Sequence, residues 1–241
     1  MHVPDGFLDI PTSAATTAVA VTGIGIALAK ARRELDDRTA PMAGLVATFV
    51  FAAQMVNFPV GAGTSGHLMG GALAAALVGP WTAVLCVSVV LLVQALFMAD
   101  GGITAYGTNV VLLALVGVAV GWAVMRVLQA VLPNRLSLVG PIAAVGAFVS
   151  VPVAAVVFTL LFAVGGQAPV DTGDVLTAMV TWHVLIGLGE AAITGLVVAS
   201  VVGVRPDLVR LARGLVAERE LEIRTTAPAA PAAPTPLEET R

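Results

Sequence analysis

The sequence begins Met1-His2, and that pair alone could grip a metal ion. An α-amino group with a pKa of about 8 and an imidazole of about 6.5 both give up protons near neutrality. The amine, the amide nitrogen of His2 and its Nδ1 can close fused five- and six-membered chelate rings around one ion. Three coplanar nitrogens leave a fourth in-plane position, and tetragonal nitrogen sites suit Ni(II) and Cu(II); Co(II) could use the same set. One more imidazole would complete the plane, and the chain offers only two, His67 and His183.

His67 stands in GAGTSGHLMGG, at the start of an apolar stretch (67–79) that is too short to cross a bilayer core of about 30 Å. A helix beginning below the outer surface would leave a pit with His67 on its floor, into which the first residues could fold. The alternative is a helix-start histidine bonded to a backbone carbonyl. His183, inside the last apolar stretch, either orients a ligand or accepts a bond in the pit, or is packed against a neighbouring helix. Glu190, seven residues on, is a protonated packing group, a proton acceptor or part of the ion's way out. Ser65 and Asn109 are further candidates to orient a ligand or line that path. Gln54, Asn57 and Asn109, near the outer ends of their stretches, either face the pit or hydrogen-bond between helices.

The elements that must position these groups are membrane helices. Of 241 residues 58% are hydrophobic and 11% charged, and the mean hydropathy is +0.98. A soluble domain carries roughly 25% charged residues, so a soluble enzyme or a nucleic-acid binder is excluded. Cys86 is the only cysteine, which excludes a disulfide framework or a cysteine zinc site. Lys30, the only lysine, follows Ala29 and not glycine, so no phosphate-binding loop exists and the chain is not its own ATPase.

Long apolar stretches cover 12–31, 41–60, 80–99, 109–132, 139–164 and 175–204. The twelve Lys and Arg residues fall after the first (Lys30, Arg32, Arg33, Arg38), around the end of 109–132 (Arg126, Arg135) and after the last (Arg205, Arg210, Arg213, Arg219, Arg224, Arg241). Placing all three clusters in the cytoplasm requires an even number of crossings between the first two, so 67–79 must cross as well. The expectation is an all-α polytopic membrane protein with seven spans, N-terminus outside and C-terminus cytoplasmic. Residues 1–204 form the transmembrane domain, with 1–11 as a plug and the spans over about 12–204. Residues 205–241 form a cytoplasmic tail, amphipathic over 206–224 and then Pro/Ala-rich and disordered. Residues 1–11 (MHVPDGFLDIP) lack a basic n-region and are read as no signal peptide. Their Pro-Asp-Gly turn and Phe7-Leu8 pair suit a segment that docks.

MHVPDGFLD, the SGHLMGG segment carrying His67 and HVLIGLGEAAIT at 183–194 resemble the CbiM/NikM family, the cobalt- or nickel-binding membrane components of energy-coupling factor transporters. The resemblance runs from residue 1 to about 204. It implies a seven-helix component in a multi-pass cell-membrane location, its N-terminus plugged into the bundle from outside. The metal would be held by Met1, His2 and His67. It further implies a transmembrane coupling subunit, cytoplasmic ATPases on separate chains and in some members a small accessory membrane protein, here expected to be separate. Ala192 departs from the bulkier residue common in the third motif, away from the ligands.

The function expected is therefore capture of Co2+ (for cobalamin synthesis) or Ni2+ from outside for an ATP-driven importer embedded in the lipid bilayer. The ion is cargo, no prosthetic group is called for, and the chain is not an enzyme. The PDGFL form leans to cobalt, the four-nitrogen set to nickel. The alternatives are a gradient-driven permease with Glu190 coupled to protons, and an intramembrane metalloenzyme using His67, His183 and Glu190. The second lacks any His-Glu-x-x-His pair.

Overall fold

The computed structural model describes residues 2–35, 39–61 and 64–216. Among the described residues the regular elements are helical apart from one short hairpin. Its elements are α1 (Ile10–Ala31), α2 (Thr39–Gln54), β1 (Phe58–Gly61) paired antiparallel with β2 (Thr64–Gly66), α3 (Gly71–Val78) and α4 (Pro80–Val93), which ends in a π-helical turn (Gln94–Met98). There follow α5 (Tyr106–Asn109), a π-helical stretch (Val110–Val116) and α6 (Gly117–Val131), running together as one rod, then α7 (Val139–Gly165), α8 (Thr172–Val204) and two 3-10 turns (Pro206–Leu208 and Arg210–Ala212).

Among the described residues five rods are long and apolar enough to cross a membrane: Ile10–Ala31, Pro80–Met98, Tyr106–Val131, Leu136–Gly165 and Thr172–Val204. The stretch expected as one span over 41–60 is divided. Its helix stops at Gln54, and Phe58–Gly61 forms the first strand of the hairpin, where proline is tolerated at a sheet edge. The short third stretch is helical over only Gly71–Val78, a rise of about 12 Å. Every residue of α3 is buried, as an all-apolar helix must be when it stands at the centre of a bundle. Its neighbours α2, α4, α6, α7 and α8 surround it. They come close because the facing residues are small: a Cβ added to Gly121 of α6 would lie 2.7 Å from the Cβ of Ala72.

Local sequence sets the helix starts. Asp9 accepts from the Thr12 N–H at 2.9 Å, with Pro11 in the first turn of α1, and Asp171 accepts from the Gly173 N–H at 2.7 Å at the start of α8. At the opposite end of the bundle Glu34, almost fully buried, accepts from the Thr82 N–H (2.8 Å) and hydroxyl (3.0 Å) and so caps α4. Lys30 stands 4.3 Å over the Trp81 ring. The turns after α8 fold back on that same end. Leu211 and Ala212 are buried against α3, and Gln129 of α6 donates to the Leu211 carbonyl at 2.7 Å. Residues 206–216, the start of the stretch read as amphipathic, form tight turns. The rest of that stretch and the Pro/Ala segment lie outside the described residues.

The bundle is polarised. Lys30 lies in the last turn of α1 and Arg32 and Arg33 follow it, Arg126 and Arg135 bracket the end of α6, and Arg205, Arg210 and Arg213 follow α8, all at the end where Glu34 meets α4. Asp5, Asp9, Asp100, Asp171 and Asp174 lie at the other end, and among the described residues no Lys or Arg joins them.

Candidate metal centre

The first residues are packed into the acidic end of the bundle, with His2, Val3, Phe7 and Leu8 all buried. The sequence explains the docking. Gly6 takes φ +74° in the turn after Pro4-Asp5, a conformation favouring glycine. The turn drives Phe7 against Phe158 (ring centroids 5.7 Å) and Phe162 (5.3 Å) of α7. Leu8 pairs with Gly166, the Asp9 N–H donates to the Gly165 carbonyl (2.7 Å), and the Gln167 N–H donates to the Phe7 carbonyl (3.0 Å). On the other side, Asn109 grips the peptide of Val3 twice: its Oδ1 accepts from the Val3 N–H at 2.7 Å and its Nδ2 donates to the Val3 carbonyl at 3.1 Å. That carbonyl also accepts from the Gly102 N–H at 2.9 Å. Asp5 accepts from the Thr104 N–H (2.7 Å) and hydroxyl (2.5 Å), bonds that hold its carboxyl below the usual range.

This docking lays the His2 ring on His67, centroids 4.2 Å apart and planes 26° apart. Burial lowers the pKa of His2, partly opposed by the hydrogen bond from Nδ1 to Asp100 Oδ1 at 2.9 Å, so the imidazole is neutral at pH 7. Burial would raise the pKa of Asp100; the hydrogen bond from His2, nearby positive charge and, least, the bond from Asn57 together bring it below the usual carboxylate value. His67 Nδ1 donates to the Leu68 carbonyl at 2.7 Å, which places the lone pair on Nε2. The carbonyl-bonded reading of His67 and the ligand reading are therefore compatible. A metal-binding imidazole commonly fixes its tautomer through such a bond.

The backbone under His67 is unwound, and side chains satisfy it from both flanks. Glu190 of α8 accepts from the Met69 N–H (2.7 Å, Oε2) and the Gly70 N–H (2.8 Å, Oε1), and Gln54 of α2 donates to the Met69 carbonyl at 2.7 Å. Non-helical backbone at membrane depth persists only where such partners exist. Glu190 is thus a carboxylate cap on the entrance to α3. His183 is fully buried on the same face of α8, its Nδ1 donating to the Met179 carbonyl at 2.7 Å, while Nε2 has no hydrogen-bond partner.

His2, His67, His183, Glu190 and Asn109 are brought into one region. Ser65 sits in β2 opposite Pro59, its side chain outside the description, and Met1 lies outside the described residues. Among the described residues no three His, Cys, Asp or Glu side chains form a ready metal cage. Asn109 and Gln54 bond to backbone rather than between helix side chains. Sequence reasoning missed Asp100 as the partner of His2 and Phe158 and Phe162 as the seat of Phe7. The only available signal was a lone carboxylate in a loop without basic residues.

The fold and this centre define a multi-pass membrane protein with a histidine pair under a docked N-terminus. Residues 2–208 match the family model described as the cobalt uptake substrate-specific transmembrane region, and the chain belongs to this CbiM family. It is 37% identical over 209 residues to a putative metal transport protein of Haloquadratum walsbyi (87% of this chain, 93% of that protein). It is 36% identical over 209 residues to a putative fused nickel transport protein of Archaeoglobus fulgidus (87% and 68%). A crystal structure of a truncated transition metal transporter superposes with a TM-score of 0.78 at 29% identity, covering 84% of this chain and 99% of that one.

Proposed function

We propose that the chain captures Co2+ or Ni2+ from outside the cell as the substrate-specific component of an ATP-driven importer of the energy-coupling factor type. The observation that carries this is the buried His2 ring lying 4.2 Å from His67. With Met1 as first residue, its amine, the His2 amide nitrogen, His2 Nδ1 and His67 Nε2 make a four-nitrogen set. The His2 ring must then release Asp100 and turn its Nδ1 to the ion. Asn109 holds the peptide that follows His2, and Glu190 and Gln54 hold the backbone that follows His67. His183 adds a buried imidazole alongside, positioned to accept a hydrogen bond from cargo-bound water.

Seven crossings, the acidic end outside and the arginine-rich end in the cytoplasm fit the charge distribution. The energy comes from ATPases on other chains, through a transmembrane coupling subunit and, where needed, a small accessory membrane protein. Cobalt destined for cobalamin is the favoured cargo.

Metal analysis of the purified chain tests the reading. We expect about one Co2+ or Ni2+ per chain, lost in His67→Ala while the variant's helical content and detergent melting persist. A folded His67→Ala chain that keeps its metal overturns the four-nitrogen set. Uptake by this chain in cells lacking the ATPases overturns the ATP-driven assignment.

A further inference from the structure

We propose that Asp100, with Asn57 beside it, is a landing site at which a hydrated divalent cation is held before it passes to the His2 imidazole. This rests on the reading that the His2–His67 centre holds the cargo. Asp100 is the carboxylate in contact with that centre: Oδ1 lies 2.9 Å from His2 Nδ1, the nitrogen that closes the second chelate ring, and Oδ2 lies 3.4 Å from Asn57 Nδ2. The two partners differ in access to water. The His2 side chain is 2% exposed and that of Asp100 15%, so the carboxylate is the part of the pair that solvent reaches.

The other carboxylates at this end are otherwise placed. Asp5 is bound by Thr104, Asp9 by the Thr12 N–H and Asp171 by the Gly173 N–H, each serving a turn or a cap, and Asp174 lies in the first turn of α8. Asp100 is positioned by its backbone. Ala99 takes a left-handed φ of 51°, and the Asp100 N–H returns to the Gln94 carbonyl at 3.2 Å to close the π-helical turn. Next to it, a Cβ added to Gly101 would lie 3.1 Å from Asn109 Nδ2 and 3.6 Å from His2 Cβ, so the loop is pressed onto the docked N-terminus. A non-glycine residue in this conformation, at the junction of a π-turn and a functional loop, is the kind of backbone that holds a side chain in place.

The chemistry follows from the order of the groups. A divalent ion arrives wearing water, and a carboxylate attracts it by charge and hydrogen bonds to that water. No Lys or Arg among the described residues lies at this end to cancel the field. The nitrogens behind it then replace water one at a time, and Asp100 gives up both His2 Nδ1 and the ion once it has passed on. The amine, the His2 amide and His2 Nδ1 each give up a proton to water as they bind, and apart from those N–H bonds only metal–ligand bonds are exchanged.

Stopped-flow mixing of the purified full-length chain, with its free N-terminus, against Co2+ separates this role from others. Asp100→Asn keeps the shape and removes the charge. We expect its association rate to fall by about tenfold or more and to lose most of its dependence on ionic strength, while the dissociation rate stays within about twofold. Asp100→Glu should restore most of the association rate. An unchanged association rate in Asp100→Asn overturns the landing site, as does a faster dissociation that Asp100→Glu fails to rescue, which would make Asp100 a strap on the N-terminus. If the wild-type chain takes up no ion, the proposed function fails first. If it binds normally and only the Asp100 result is negative, this inference alone fails.

Discussion

At the scale of single residues, the centre depends on groups that are buried and committed. Glu190 meets two backbone N–H groups with its two oxygens. A Glu190→Gln change would turn one acceptor into an NH2 facing an N–H, leaving a buried donor unmet at a cost of about 1–3 kcal/mol. A lower melting temperature in detergent and weaker metal binding are expected, because the segment carrying His67 loses its clamp. Unaltered melting and affinity would show that Glu190 does not position that segment. The sequence made His2 and His67 legible because histidine is rare in this chain, one stands beside the first residue and the other opens a short apolar run. Asp100 and the grip of Asn109 on Val3 were not legible. These contacts join positions 98 and 106 residues apart, and neither leaves a periodic trace.

Among the elements, the docked N-terminus and the short α3 do the positioning. Phe7, packed between Phe158 and Phe162, is the apolar anchor of the first segment. Truncating a buried phenylalanine costs about 3–5 kcal/mol. Phe7→Ala should release the segment and speed dissociation of the ion by at least about a hundredfold, read by chelator-chase kinetics, while the helices stay folded. Dissociation at the wild-type rate would mean that the N-terminus is held without its anchor. The brevity of α3 was readable from the length of its apolar run. The end of α2 at Gln54 was not, because Phe58 and Val60 carry the hydropathy past the helix end. Asn57, Pro59 and Gly61 hold the turn chemistry that hydropathy hides. The π-helical turns at Gln94–Met98 and Val110–Val116, which bracket the loop against His2, have no sequence signature.

For the whole molecule, the separation of acidic and basic ends sets the proposed orientation. Cys86 is buried and should stay silent to reagents, so single cysteines can report sidedness. A membrane-impermeant maleimide should label Thr172→Cys in intact cells and Arg213→Cys only after permeabilisation; the reverse pattern would invert the topology and remove the centre from the outside. The helical class and membrane location were legible because composition reports them directly, whereas the crossing count depended on charge placement, and α2 and α3 are too short to show it by length. The central claim, that the first residue's own amine is a ligand, is tested most directly by titrating Co2+ or Ni2+ into two otherwise identical purified chains, one starting at Met1 and one bearing a single glycine ahead of it. Stoichiometric tight binding is expected for the first and its loss in the second, with both equally folded. Equal tight binding by both would contradict that claim.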